Sequence, residues 1–160
     1  MTNRRNFLRA GRLLDSLKAE AAFNLKAAAG GPGVSKPIRV GFVGIGGRGS
    51  YHLTTCLGLA GIEVKALCDI NPDYLWRARR YVMEAGQPAP ELYDRGPMDW
   101  LRMCERADLD MVVTATPWQY HAPICAAAMR NGKHAATEVP IALTLEECWE
   151  MVETSESTGK

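Results

Sequence analysis

The sequence predicts an α/β domain, a doubly wound parallel sheet with helices on both faces. Three observations carry that expectation. Short β-branched runs alternate with longer helical stretches from Ile38 onward. Strands alternating with helices of this length give a parallel sheet covered on both faces. No internal repeat or low-complexity tract breaks the alternation.

Each element has a local reason. "IRVGFV", Ile38–Val43, reads as a buried strand, and Ser50–Ala60 as the helix after it. "IEVKALCD", Ile62–Asp69, is a second strand. A helix follows over Pro72–Ala85, opened by Asn71 as cap and Pro72 at the first helical position. "GQPAPELYDRGP" is loop with a short strand at "ELY", and Met98–Arg106 is helical. "LDMVVTAT", Leu109–Thr116, is the next buried strand. A helix over Pro117–Arg130 ends at Asn131-Gly132-Lys133, and His134–Glu138 forms another strand end. Thr144–Ser157 is the last helix, with "TLEE" as its capping box.

Composition excludes several function classes. At 160 residues and 47% hydrophobic, the chain suits one globular domain. A formal net charge of +1 points to no nucleic-acid surface, and "WRARR" at Trp76–Arg80 reads as the solvated face of a helix. Five cysteines, an odd number with no C-x-x-C pair, argue against zinc or a disulfide scaffold and for buried thiols; no metal is expected. No apolar run reaches the ~18 residues of a membrane span.

The first 36 residues form a separate leader. "NRRNFLRAGRLL" has two arginines followed by x-Phe-Leu, a resemblance to the twin-arginine export signal. Arg12, Asp15, Lys18, Glu20 and Lys26 interrupt the apolar stretch such a signal needs, while Ala27–Ala29 offers a small-residue cleavage site. Periplasmic export and an uncleaved cytoplasmic leader both stay open. "GGPGVSKP" is a flexible linker, and the folded domain is expected over 37–160.

The chemistry-bearing motif is Gly44-Ile45-Gly46-Gly47-Arg48-Gly49, which satisfies G-x-G-x-x-G. The pattern alone is weak. Here it follows a strand, precedes a helix, and has an acid, Asp69, ~20 residues beyond its last glycine, as the dinucleotide fingerprint requires. Gly44 permits the turn, Gly46 lets backbone approach a pyrophosphate, and Gly49 allows close helix packing. The helix N-terminus offers free N–H groups, and Arg48 a charge-assisted bond, to phosphate. Asp69 would accept from the adenosine ribose and repel a 2′-phosphate, which favours NAD over NADP. The bland alternative is a ligand-free tight turn.

Two later strand ends belong to the same site, because ligands of open parallel sheets lie at the strands' carboxyl ends. In "ATPWQYH", Trp118, Gln119, Tyr120 and His121 open a helix. An aromatic there would lie against the cofactor and His121 would bind a ribose or phosphate; otherwise Trp118 and Tyr120 are packing residues and His121 a helix-start histidine. In "TEVPIALT", Glu138 stands where the nicotinamide ribose should lie, the alternative being a surface carboxylate.

Together "VGFVGIGGRGSYH", "VKALCDINP", "DLDMVVTATPWQYHAPICAAAMRNGKHAATEVP" and "TLEECWEMVETSESTGK" resemble the N-terminal domain of the glucose-fructose oxidoreductase / inositol dehydrogenase / MocA (Gfo/Idh/MocA) family, from about Ile38 to Lys160. Most dehydrogenases of that family carry Glu-Lys-Pro where this chain has Glu138-Val139-Pro140, and the lysine assists proton transfer. "WQYH", "EVP" and the last helix look instead like the NAD-dependent α-N-acetylgalactosaminidases of glycoside hydrolase family 109. That resemblance implies NAD contacts at Gly47, Arg48, Asp69, Trp118 through His121, Glu138 and Val139. It implies a redox glycosidase: hydride leaves sugar C3, the C2 proton is acidified, the aglycone is eliminated, water adds and hydride returns. Catalytic residues are expected in a C-terminal α/β substrate domain, so the chain reads as a fragment truncated before it. Homo-oligomerisation is left open. A sugar or cyclitol dehydrogenase, and a non-catalytic dinucleotide sensor, are the competing readings.

Overall fold

The computed structural model describes residues 36–160. The leader, its export signal and the linker lie outside the described residues, apart from Lys36 and the chain's entry into the first strand at Pro37.

Five parallel strands form one sheet: β1 (Ile38–Val43), β2 (Ile62–Cys68), β3 (Glu91–Tyr93), β4 (Met111–Thr114) and β5 (His134–Thr137). Their spatial order is β3-β2-β1-β4-β5. The order reverses between β1 and β4, which pair in register from Val40↔Met111 to Val43↔Thr114. The expected doubly wound architecture is therefore present, with its switch point beside the glycine motif.

Among the described residues five α-helices cover the sheet: α1 (Gly47–Leu57), α2 (Pro72–Glu84), α3 (Trp100–Cys104), α4 (His121–Arg130) and α5 (Leu145–Thr158). Side-chain alternation along each strand feeds two cores. Val40, Phe42, Val64 and Leu67 meet Leu53 of α1 and Leu75, Ala78 and Val82 of α2. On the other face Val43, Ala66, Cys68 and Val112 meet Met103 and Cys104 of α3 and Ile124 and Ala128 of α4. Each fully buried large side chain among these contributes ~1.5–3 kcal/mol of burial energy.

The predicted helix stops and starts have their expected chemistry. Asn71 Oδ1 accepts from Asp73 N at 2.9 Å, and Thr144 and Glu147 form a reciprocal capping box at α5. Gly132 closes α4 at φ +77°, a conformation that suits glycine.

Several boundaries differ from the sequence reading: the helix expected over Met98–Arg106 shortens to Trp100–Cys104, and the first helix ends at Leu57 rather than Ala60. α1 begins at Gly47 rather than Ser50, because the helix starts inside the glycine motif. The predicted helix over Pro117–Arg130 is split into a 3₁₀ turn at Trp118–Tyr120 and α4 from His121. Strand β4 is confined to Met111–Thr114, since its flanks leave the ladder. Of the five cysteines, Cys68, Cys104 and Cys125 are buried as expected, Cys56 is half-buried and Cys148 is exposed. Burial pushes the Cys68 and Cys104 thiols up to about 12, so both are packing groups rather than nucleophiles.

Candidate functional site

A cleft of about 380 Å³ opens at the carboxyl ends of β1, β2 and β4. Its walls are Val43, Gly44 and Gly46 on one side, Asp69 to Asn71 and Tyr74 on a second, Gly96, Pro97 and Trp100 on a third, and Ala115 to Pro117 with Tyr120 on the last. The wall is mostly apolar, with a few polar groups at its rim, as cofactor clefts are.

The four glycines do different jobs. Gly44 adopts φ +78°, and a Cβ there would sit 2.9 Å from the Ala115 carbonyl. At Gly49 a Cβ would lie 1.8 Å from the Gly44 carbonyl oxygen. Close packing therefore fixes both, with Gly49 pressed on the turn itself and Ala115 beyond it at 3.6 Å. Gly46 and Gly47 are different. Around Gly47 a Cβ meets nothing within 4 Å, and at Gly46 it meets only Tyr74 at ordinary contact distance. The protein's own packing does not demand glycine at these two positions. Their missing side chains leave room over the N-terminus of α1, where no side chain caps the helix. Orphan N–H groups and the positive end of the helix dipole face that space.

Asp69 lies at the end of β2 and is half-buried. Its Oδ2 accepts from Ile45 N at 2.6 Å and its Oδ1 from Asn71 N at 2.8 Å. It thus ties β2 to the glycine turn and to the start of α2. A carboxylate has about four acceptor positions, so two remain for ribose hydroxyls. Behind the turn, Ser50 Oγ donates to the Ile45 carbonyl at 2.8 Å, and Arg77, stacked over Tyr74, reaches Ser50 Oγ at 3.3 Å.

At the opposite rim Glu138 follows β5. Its Oε1 receives Arg48 Nε at 3.1 Å and pairs with His52 Nε2 at 2.5 Å. The His52 hydrogen bond first, then the Arg48 charge, holds the Glu138 carboxyl below the usual carboxylate range. Arg48 was expected to face phosphate; it lies instead on Glu138, with its side chain largely exposed. Val139, next in the chain, is 80% exposed and offers no donor.

Of the "WQYH" residues, Trp118 and Gln119 are exposed and Tyr120 lines the cleft. His121 departs from expectation. Its side chain is buried, with Nδ1 2.7 Å from the Pro140 carbonyl and Nε2 2.8 Å from the Thr116 carbonyl. Both ring nitrogens are committed to backbone, so the ring has no free polar atom for a ribose or phosphate. It staples the end of β4 to the Glu138 loop. A neutral ring donates to one carbonyl and turns a lone pair to the other; only a ring protonated on both nitrogens satisfies both.

Sequence reasoning missed His52, and the signal was present. His52 lies four residues after Arg48 on α1, which places the two on one helical face. It also missed Tyr74, Pro97 and Trp100 as cleft walls, which no local spacing marks. The residues present fit a dinucleotide: open room over an uncapped helix N-terminus, an acid at the adenosine end and an anchored acid at the far end. Among the described residues no cluster suits a metal ion, and no helix is long and apolar enough to cross a membrane.

Comparisons with known proteins agree with this geometry. The profile of the oxidoreductase family described as an NAD-binding Rossmann fold, Gfo/Idh/MocA, matches residues 38–160. An α-N-acetylgalactosaminidase of Bacteroides fragilis is 46% identical over 121 residues, covering 76% of this chain and 28% of that protein. A glycosyl hydrolase family 109 protein of Shewanella pealeana is 40% identical over 172 residues, covering 99% of this chain and 38% of that protein. The chain thus spans well under half the length of these relatives. Among solved structures, myo-inositol dehydrogenase of Lactobacillus casei in complex with NAD(H) and myo-inositol matches with a TM-score of 0.65 and 26% identity, over 78% of this chain and 34% of that one. The WlbA dehydrogenase of Bordetella pertussis in complex with NADH and UDP-GlcNAcA matches with a TM-score of 0.62 and 26% identity, over 78% and 35%. With the strand order, the glycine turn and the acid of β2 in place, this chain belongs to the Gfo/Idh/MocA oxidoreductase family and carries its NAD-binding Rossmann fold.

Proposed function

We propose that the chain is the nucleotide-binding part of an NAD-dependent glycosidase, similar to the α-N-acetylgalactosaminidases, that acts without net oxidation. The observation that carries the reading is the rim at Glu138 and Val139: an acid anchored by Arg48 and His52, followed by an exposed valine where a proton-transferring lysine would otherwise stand. When bound, NAD supplies a reversible hydride acceptor for the sugar. The chain's own residues bind and orient it. The amides at Gly46 and Gly47 receive the pyrophosphate, Asp69 the adenosine ribose and Glu138 the nicotinamide ribose, while Tyr120 borders the cleft. Val139 has no proton to give, so net alcohol oxidation lacks its usual helper on this strand end. Acid–base and sugar-binding groups fall to a substrate domain beyond this chain.

The intact protein incubated with an aryl α-N-acetylgalactosaminide tests this. NAD-dependent release of the aglycone without NADH accumulation is expected; steady NADH from a free sugar overturns the reading. That second outcome is the dehydrogenase alternative, which the fold similarity to inositol dehydrogenases favours. The paired Arg4 and Arg5 support export by the twin-arginine route as part of the same proposal. Residues 1–36 fused to a folded reporter should reach the periplasm only in cells with that translocase.

A further inference from the structure

The inference rests on the reading that Glu138 accepts from the nicotinamide ribose. We propose that His52 is a positioning residue that aims Glu138 at that ribose. Arg48 and His52 converge on the same oxygen, Oε1, so Oε2 is claimed by neither. The remaining oxygen, Oε2, is the acceptor assigned to the ribose hydroxyl in this proposal. A free glutamate side chain has three rotatable bonds and loses that freedom on ordering, so an acid already held binds more tightly.

The two partners are not equivalent. Arg48 is about two-thirds exposed and its contact is the longer one, and exposed ion pairs fix geometry poorly. The His52 ring is more enclosed, packs edge-on to Tyr51 with centroids 5.7 Å apart, and makes the 2.5 Å contact. It projects from α1, the helix whose N-terminus faces the pyrophosphate space. His52 therefore joins the two ends of the dinucleotide site: one rigid helix presents its amides at one end and fixes the acid at the other.

The test compares two ligands in the intact protein by titration calorimetry: NAD, and ADP, which has the pyrophosphate and adenosine but no nicotinamide ribose. For H52A, NAD affinity should fall roughly ten-fold while ADP affinity stays the same. H52Q, whose amide N–H donates to the same carboxylate oxygen, should recover most of the loss and also serves if H52A folds poorly. E138A should weaken NAD alone, and H52A/E138A should be no worse than E138A. If E138A weakens NAD but H52A does not, the positioning role is overturned and the ribose reading stands. If E138A leaves NAD affinity unchanged, the ribose reading itself fails and the positioning role fails with it. If H52A weakens NAD and ADP equally, His52 supports the turn rather than Glu138, and the proposal is overturned.

Discussion

Replacing Asp69 by alanine removes one carboxylate with two separable jobs. The structural job is the pair of bonds to Ile45 N at 2.6 Å and Asn71 N at 2.8 Å. Hydrogen bonds to a charged acceptor contribute ~1.5–3 kcal/mol each. Asp69 is only half-buried, and water replaces part of what is lost, so the two together are worth about 2 kcal/mol. For a domain of this size that is a fall in Tm of roughly 8 °C. The proposed binding job is the acceptor pair offered to the ribose, ~1–3 kcal/mol, or roughly 5- to 150-fold in NAD affinity. Differential scanning calorimetry reads the first and isothermal titration below both melting points reads the second. NADP adds a third reading, because removal of the anion should narrow the preference for NAD over NADP. A lower Tm with NAD affinity within about two-fold of the parent would refute the ribose assignment and leave Asp69 a scaffold residue. An unchanged Tm would refute the structural bonds as well.

Three further outcomes are expected. Gly47→Ala should keep or slightly raise stability, since alanine is the better helix former by up to ~1 kcal/mol and meets nothing in the protein, yet it should weaken NAD binding; Gly49→Ala, driven into the Gly44 carbonyl, should lose both, and equal effects of the two on binding and melting would contradict the division of labour. His121→Ala should destabilise the fold by ~2–4 kcal/mol in urea titration, as it opens a cavity and takes the donor from a buried carbonyl; a loss below ~0.5 kcal/mol would mean the staple is idle. Asp110, bonded by the Arg39 guanidinium and Arg39 N, has its carboxyl held down to about 2. Its folded value lies below its unfolded one, so the stability it adds is complete above about pH 4 and is lost as pH falls toward 2. The pair is over a third exposed, so after solvent screening the effect is about 0.5–1 kcal/mol. Asp110→Asn should flatten that acid limb in pH-dependent melts, and an unaltered limb would count against it.

Much of this arrangement is legible from local spacing. The glycine motif, the acid of β2 and the capping residues act within a few residues of themselves or at a fixed offset, so pattern suffices. The doubly wound parallel class follows from the alternation of elements, whereas the order β3-β2-β1-β4-β5 comes from the pairing of strands across the sheet. What pattern does not carry is the pairing of side chains across the sheet. His121 at a strand end fits a ligand contact by position alone; that its two nitrogens meet Thr116 and Pro140 depends on how the loop after β5 folds back. Arg48 fits a phosphate contact by motif, and its swing toward Glu138 depends on the spacing of α1 and β5. The split of the helix after β4 into a 3₁₀ turn and α4 is likewise set by that loop, not by propensity.

The His121 staple has a mechanical consequence. One buried ring contacts the Thr116 carbonyl and the Pro140 carbonyl, so the β4 and β5 ends of the cleft are tied into a single jaw. The opposing jaw is the glycine turn with α1, braced by Asp69. Between the described side chains of these jaws, the polar seam across the rim is Glu138 with Arg48 and His52. A cofactor tens of atoms long, entering or leaving through that rim, meets a latch made of ionic contacts rather than a packed wall. Such a latch weakens in salt while the staple behind it does not. Exchange of the cofactor should therefore speed up with ionic strength more steeply than the domain loses stability.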